Sequence, residues 1–166
     1  ELTFEEFDNT AKYEGLLGHM VYLNVPDPDD ESSIKWVNAK IVKHDGDGVF
    51  TVKRKVDGES EKQKVEFKNL MLVNDSYESD LCNLPEVHEP AIISNIGQRF
   101  MEGNYFTSMG ASLIFVNPGE REKYLDKYKA DVEWFERYSS KEADLGNDPH
   151  IYAITQLAYD AMCFYN

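Results

Sequence analysis

Hydrophobic and polar positions change their rhythm near the middle of the chain. From residue 19 to 73, short β-branched and aromatic runs are separated by turn clusters, the pattern of an all-β unit. The expected strands are His19 to Val25, Ile34 to Lys43, Val49 to Val56, Glu61 to Phe67, and Leu70 to Val73. Phe50, Val52 and Val56 alternate with Thr51, Lys53 and Lys55, so one face of that strand is expected in a core and the other in water. Asp45-Gly46-Asp47-Gly48 and Asp57-Gly58 supply the positive-φ positions of hairpin turns. The acidic stretch Pro26 to Ser33, with two prolines, is expected to be a loop and not a strand.

After Asn74 the period becomes helical. Pro90 suits a first helical position, and Ile92, Ile93, Ile96 and Phe100 make one apolar stripe. Tyr105 to Thr107 and Ser112 to Val116 read as two strands around Met109-Gly110. Leu113 to Val116 is apolar without alternation, the habit of a strand covered on both faces. Lys123 to Lys141 reads as a helix with Tyr128, Val132, Phe135 and Tyr138 on one side. Asp148-Pro149 caps a last helix whose stripe is Ile151, Ile154, Leu157, Ala158, Ala161 and Met162. Before the β unit, Thr3 and Glu6 form a capping box for a short N-terminal helix.

These elements divide the chain into a helical lead-in (1–18), a five-strand unit of SH3-barrel type (19–73) and a helical part with a few strands (74–166). The fold class is α+β. Two helices cannot bury a central sheet of normal width, so the second half is expected to be a piece of a larger structure.

Composition narrows the partners. The 166 residues carry 17 basic and 31 acidic side chains, a net charge of -14, which repels nucleic acid and anionic membranes. Nine lysines and arginines fall between Lys35 and Lys68, but six acidic residues share the span, as on an ordinary solvated strand face. Cys82 and Cys163 show no metal-ligand spacing and are expected as reduced thiols in or near a core. No apolar run approaches the ~20 residues of a membrane helix, and a cytoplasmic protein is the default. His88 and His150 read as helix-entry residues held by local hydrogen bonds, and Glu86, Glu89 and Glu133 as solvated helix residues.

The stretch Asp80 to Pro118, DLCNLPEVHEPAIISNIGQRFMEGNYFTSMGASLIFVNP, resembles the signature of the myosin motor head. A leucine-containing start and a His-Glu-Pro-Ala helix lead through Arg99-Phe100 and a Thr-containing strand to an apolar strand ending in Asn-Pro. Asp148 to Met162, DPHIYAITQLAYDAM, is similar to the family's helix before its phosphate-binding loop. Met20 to Asn24 and Trp36 to Val42 resemble strands of the SH3-like subdomain that many myosins carry at this place.

The resemblance implies a motor that couples ATP hydrolysis to movement on actin, associated with the cytoskeleton. It implies that 74–166 is the start of the motor domain, with the first strands of its central mixed sheet. The family's adenine-side loop carries over to Asn117 and Pro118, with Arg121 at the place of a frequent basic residue. The pocket tyrosine would be Tyr124, one residue nearer the Asn-Pro pair than the family spacing, and Gly119 stands where an aromatic is usual. ATP and Mg²⁺ would be held mostly by the rest of the motor domain, and actin and light chains by segments outside this chain. No G-x-x-x-x-G-K-[ST] occurs, so no catalytic residue is assigned, and the piece is expected to be inactive alone. The competing reading is an autonomous SH3-like interaction module with a helical extension and no enzymatic activity.

Overall fold

A computed structural model describes residues 13, 15–27, 30–56, 58–119, 132–139 and 149–164. The chain forms two compact units, Glu1–Val73 and Asn74–Asn166. In the first, β1 (Met20–Asp27), β2 (Asp30–Gly46), β3 (Val49–Val56), β4 (Glu59–Glu66) and β5 (Leu70–Leu72) make one antiparallel sheet ordered β4-β3-β2-β1-β5. The turn after β2 uses positive φ at Gly46, Asp47 and Gly48, as its composition demands. Val21, Leu23, Ala39, Ile41, Phe50, Val52 and Leu70 form the core. These are the inward positions of a period of two, and Val37 packs against them partly buried.

Three expectations change. The barrel is not closed: β4 and β5 lie at opposite ends of the strand order and do not pair among the described residues. A 3₁₀ turn, Phe67–Asn69, follows β4, and the three residues of β5 then pair with Val21, Tyr22 and Leu23 of β1. The expected loop from Pro26 to Ser33 is instead mostly strand, because β1 continues to Asp27 and β2 starts at Asp30. Pro26 is tolerated because β5 reaches only to Leu23, which leaves the end of β1 with β2 as its one partner. Val56, expected to face the core, is 39% exposed. The inward position beside it holds the pair Arg54–Glu61, 2.9 Å between Nη2 and Oε2.

In the second unit, α1 (Glu89–Met101) leads to the hairpin β6 (Phe106–Met109) and β7 (Ser112–Phe115), followed by α2 (Val132–Ser139) and α3 (Ile151–Phe164). His88 caps α1 by accepting from the Ala91 N–H at Nδ1, 3.3 Å, and Pro90 sits in the first turn. The buried face of α1 is Pro90, Ala91 and Asn95, while Ile93 is 59% exposed, so the expected isoleucine stripe is only partly covered. The stripe on α3 is largely uncovered too. The buried residue of this helix, Ala153, lies outside that stripe, and Ile151, Leu157 and Met162 are more than half exposed. Both cysteines are exposed and free, not held in a core. The expected N-terminal helix lies outside the described residues, and no described helix is long and apolar enough to cross a membrane.

Candidate nucleotide-side loop

The candidate loop follows β7, so its position depends on what holds the β6–β7 hairpin. Phe106 to Met109 pair with Phe115 to Ser112, and the Val116 N–H donates to the Tyr105 carbonyl at 3.0 Å, extending the ladder to the edge of the loop. Behind the hairpin, Arg99 of α1 donates from Nε to Thr107 Oγ1 (3.1 Å) and from Nη2 to the Phe106 carbonyl (2.9 Å). A planar guanidinium can serve both acceptors at once, which fixes strand against helix.

On the other flank the segment from Asn74 to His88 has no regular structure beyond one 3₁₀ turn, Leu81–Asn83, so side chains must satisfy its backbone. Asn74 accepts from the Glu86 N–H and donates to the Glu86 carbonyl, both at 2.9 Å. Asn95 does the same for Glu78, at 2.7 and 3.0 Å. Each amide side chain thus imitates one step of a β-ladder. Ser108 donates from its N–H and its hydroxyl to the Ser79 carbonyl. Asp80 Oδ1 accepts from the Cys82 and Gly110 N–H groups, at 2.9 and 3.1 Å. The Cys82 bond, aided by the Gly110 bond and opposed by burial, holds the Asp80 carboxyl below its ordinary value.

The loop itself is a tight turn. Asn117 Oδ1 accepts from the Gly119 N–H at 2.9 Å, Pro118 lies between them, and Gly119 has φ +70°. Asn117 is exposed and Pro118 half-buried. The amide oxygen is engaged in the turn, and the side chain of this exposed residue keeps its Nδ2 group as a neutral donor. That suits the edge of an uncharged heteroaromatic ring better than a phosphate. Of the four residues assigned to this site, Asn117 and Pro118 stand side by side, whereas Arg121 and Tyr124 lie outside the described residues. Among the described residues no group of three His, Cys, Asp or Glu is arranged to hold a metal ion.

His150 is 3% exposed and accepts from the Tyr152 N–H at Nδ1, 3.2 Å, as a helix-entry residue. Its ring is stacked with Tyr138 at 5.2 Å and meets Phe106 edge-on at 4.8 Å, joining α2 and the hairpin to the start of α3.

The model of the myosin head (motor domain) matches residues 78–166, more than half of the chain, including α1 and the β6–β7 hairpin. The chain belongs to the myosin motor-head family. Rat unconventional myosin-Vb is 30% identical over 162 residues, covering 90% of the chain and 8% of that protein. Zebrafish unconventional myosin-IXAa is 37% identical over 84 residues, 50% of the chain and 3% of the relative. Arabidopsis Myosin-17 is 36% identical over 84 residues, 50% of the chain and 5% of its own length. The chain therefore spans less than a tenth of the curated myosins it matches. The longer alignment with myosin-Vb also takes in most of the five-stranded sheet, which lies outside the matched head model.

Asp80, which bonds the turn of the myosin hairpin at Gly110, and Asn74 and Asn95, which tie down the flanking segment at Glu86 and Glu78, are not singled out by sequence reasoning. The available signal is Asn95 itself, a polar residue one position before Ile96 of the apolar stripe.

Proposed function

We propose that this chain supplies the N-terminal part of an ATP-driven actin motor: an SH3-like subdomain in its first unit and the adenine side of the nucleotide site in its second. The observation that carries the nucleotide reading is the Asn117-Pro118-Gly119 turn. It is neutral, exposed at Asn117, and set at the end of a hairpin that α1 and Asp80 hold on both flanks. Asn117 Nδ2 is the group assigned to the base edge, and Pro118 the apolar surface beneath it. Arg121 and Tyr124 belong to the same loop in this reading. ATP supplies the phosphoanhydride whose cleavage drives movement, and Mg²⁺ and the phosphate contacts come from other segments. So do the contacts to actin and to light chains. The site of action is the actin cytoskeleton of the cytoplasm.

The interaction-module alternative fits the first unit by itself, but it leaves unexplained the apolar residues exposed on α3 and the hairpin.

In a motor containing this chain, Asn117→Trp is expected to raise the KM for ATP with a smaller change in kcat, because a base contact is made equally in ground and transition states. Asn117→Asp keeps the acceptor for the Gly119 N–H and removes the amide donor, so it separates loss of the base contact from loss of the turn. An unchanged KM in both variants would remove the loop from the nucleotide site while leaving the family assignment intact.

A further inference from the structure

The first unit carries a feature that the nucleotide reading does not use. Among the described residues β4 pairs with β3 alone and β5 with β1 alone, so the sheet ends in an open seam. A cleft of about 530 Å³ lies there, lined on its apolar side by Leu23, Trp36, Val65 and Met71 and on its rim by Lys64 and Lys68. Four consecutive residues of β4, Gln63 to Glu66, border it, a length of about 13 Å of strand. The Trp36 indole Nε1 is shielded from solvent and has no acceptor among the described residues, a condition that folded proteins avoid unless something else supplies one.

The strand register adds a charge pattern to this edge. Lys40 lies opposite Lys53, and Lys53 opposite Lys62, so three exposed lysines form a row across three adjacent strands. Lys64, two residues from Lys62, falls on the same face. Like charges directly opposite one another oppose pairing, so the row works against the sheet that carries it. The nearby carboxylates are occupied: Asp45 by Lys43, Glu61 by Arg54, and Glu66 by Lys68. None of Lys40, Lys53, Lys62 and Lys64 has an ion-pair partner among the described residues.

We propose that the seam between β4 and β5 takes an extended peptide whose residues alternate acidic and apolar, added as a further strand to the free edge of β4. Its carboxylates would lie beside Lys62 and Lys64, and its apolar side chains, on the opposite face by the period of two, would enter the cleft beside Val65. The peptide backbone would pair with the unpaired edge groups of β4. A second copy of the same edge is disfavoured, because it would set lysine against lysine. An anionic bilayer is disfavoured by the net charge of -14, which a broad plane meets but a short strand, within a Debye length of about 8 Å of the lysine row, does not.

The test uses the 166-residue chain and a fluorescein-labelled octapeptide of alternating glutamate and valine, followed by anisotropy. Saturable binding that weakens with added salt is expected. Lys62→Glu combined with Lys64→Glu should weaken it at least about tenfold, and the neutral pair Lys62→Gln with Lys64→Gln by less, with unchanged circular dichroism in both. Replacing the peptide's glutamates by glutamine, or N-methylating alternate amides so that no ladder can form, should remove binding. Binding indifferent to the lysine changes or to N-methylation would overturn the proposal. So would lysine-dependent recruitment to phosphatidylserine vesicles without peptide binding, or dimerisation through this edge.

Discussion

Replacing Asn95 tests the construction of the hairpin assembly most directly. Its side chain is 1% exposed, and both of its polar atoms are spent on the backbone of Glu78, with Oδ1 accepting at 2.7 Å and Nδ2 donating at 3.0 Å. Asn95→Ala removes two hydrogen bonds worth about 1 kcal/mol each and leaves the Glu78 N–H and C=O to find water. Glu78 is half-buried, so water recovers part of that loss. A total of about 2–4 kcal/mol is expected, or a fall of roughly 30- to 1000-fold in the hydrogen-exchange protection of the Glu78 amide if it opens locally. Asn95→Asp keeps the acceptor but turns a carboxylate oxygen toward the Glu78 carbonyl, so it should cost at least as much at neutral pH. Protonation restores a donor, which raises the folded-state pKa of the introduced carboxyl above its unfolded value. The penalty is therefore relieved as pH falls through that raised value. Exchange read by NMR at Glu78, with Ser108 as the neighbouring reporter, checks both variants. Protection at Glu78 within about threefold of the parent in Asn95→Ala would refute the idea that this amide pins the loop.

Arg99→Lys should cost about 1–2 kcal/mol in urea unfolding, because an ammonium cannot serve Thr107 Oγ1 and the Phe106 carbonyl with the fork of a guanidinium. Lys53→Glu should stabilise the five-stranded sheet by about 0.5–1 kcal/mol in thermal denaturation at low salt, by placing a carboxylate between Lys40 and Lys62, with the gain shrinking as salt rises. Asp80 and Asp45 both have lowered folded-state values, Asp80 chiefly through the Cys82 N–H and Asp45 chiefly through Lys43 and then Thr51. Their contribution is therefore present above the ordinary value of 3.8 and lost as pH falls through the lower folded values. Acid titration of the Asp80→Asn variant should lose part of this dependence.

The β unit is legible in the sequence because its signals are local. The period of two places Ala39, Ile41, Phe50 and Val52 in a core, and all four are 1% exposed or less. The glycines after Asp45 mark their turn for the same reason. Closure is not legible, since it depends on whether β5 is long enough to meet β4, and no property of Leu70 to Val73 decides that. Pro26 misleads because proline is excluded only where its missing N–H would have had a partner, and β5 stops short of it. In the second unit the helical periods hold over Glu89–Met101 and Ile151–Phe164, and the expected helix from Lys123 to Lys141 is described only at Val132–Ser139, but which part of a stripe is covered depends on partners distant in sequence. Ile93 and Leu157 are apolar, periodic and exposed, whereas Asn95 is polar and buried. The Asn-Pro pair is legible as a turn from two residues. Its reading as a nucleotide-side loop needs the flanking motifs.

The exposed apolar residues of the second unit lead to the last expectation. On α3, Ile151, Leu157, Tyr159, Met162 and Phe164 are 53%, 51%, 57%, 62% and 76% exposed, and on the hairpin Met109 and Phe115 are 48% and 46% exposed. Fully burying such a side chain contributes about 1.5–3 kcal/mol, so covering the remaining half of each is worth about 1 kcal/mol, or roughly 5 kcal/mol for α3 alone. That is comparable to the whole stability of a small domain. The five-stranded sheet shows less of this, because its largest apolar side chains meet inside its own core. The 166-residue chain alone is therefore expected to self-associate through the second unit as concentration rises. Sedimentation velocity should show the mean sedimentation coefficient climbing with concentration. Leu157→Glu with Met162→Glu, which alter exposed positions only, should reduce that climb without unfolding the sheet. A monomer at every concentration, with one cooperative melt that includes β7, would show that the second unit needs no covering partner, and the reading of this chain as a portion of a larger motor would lose its physical support.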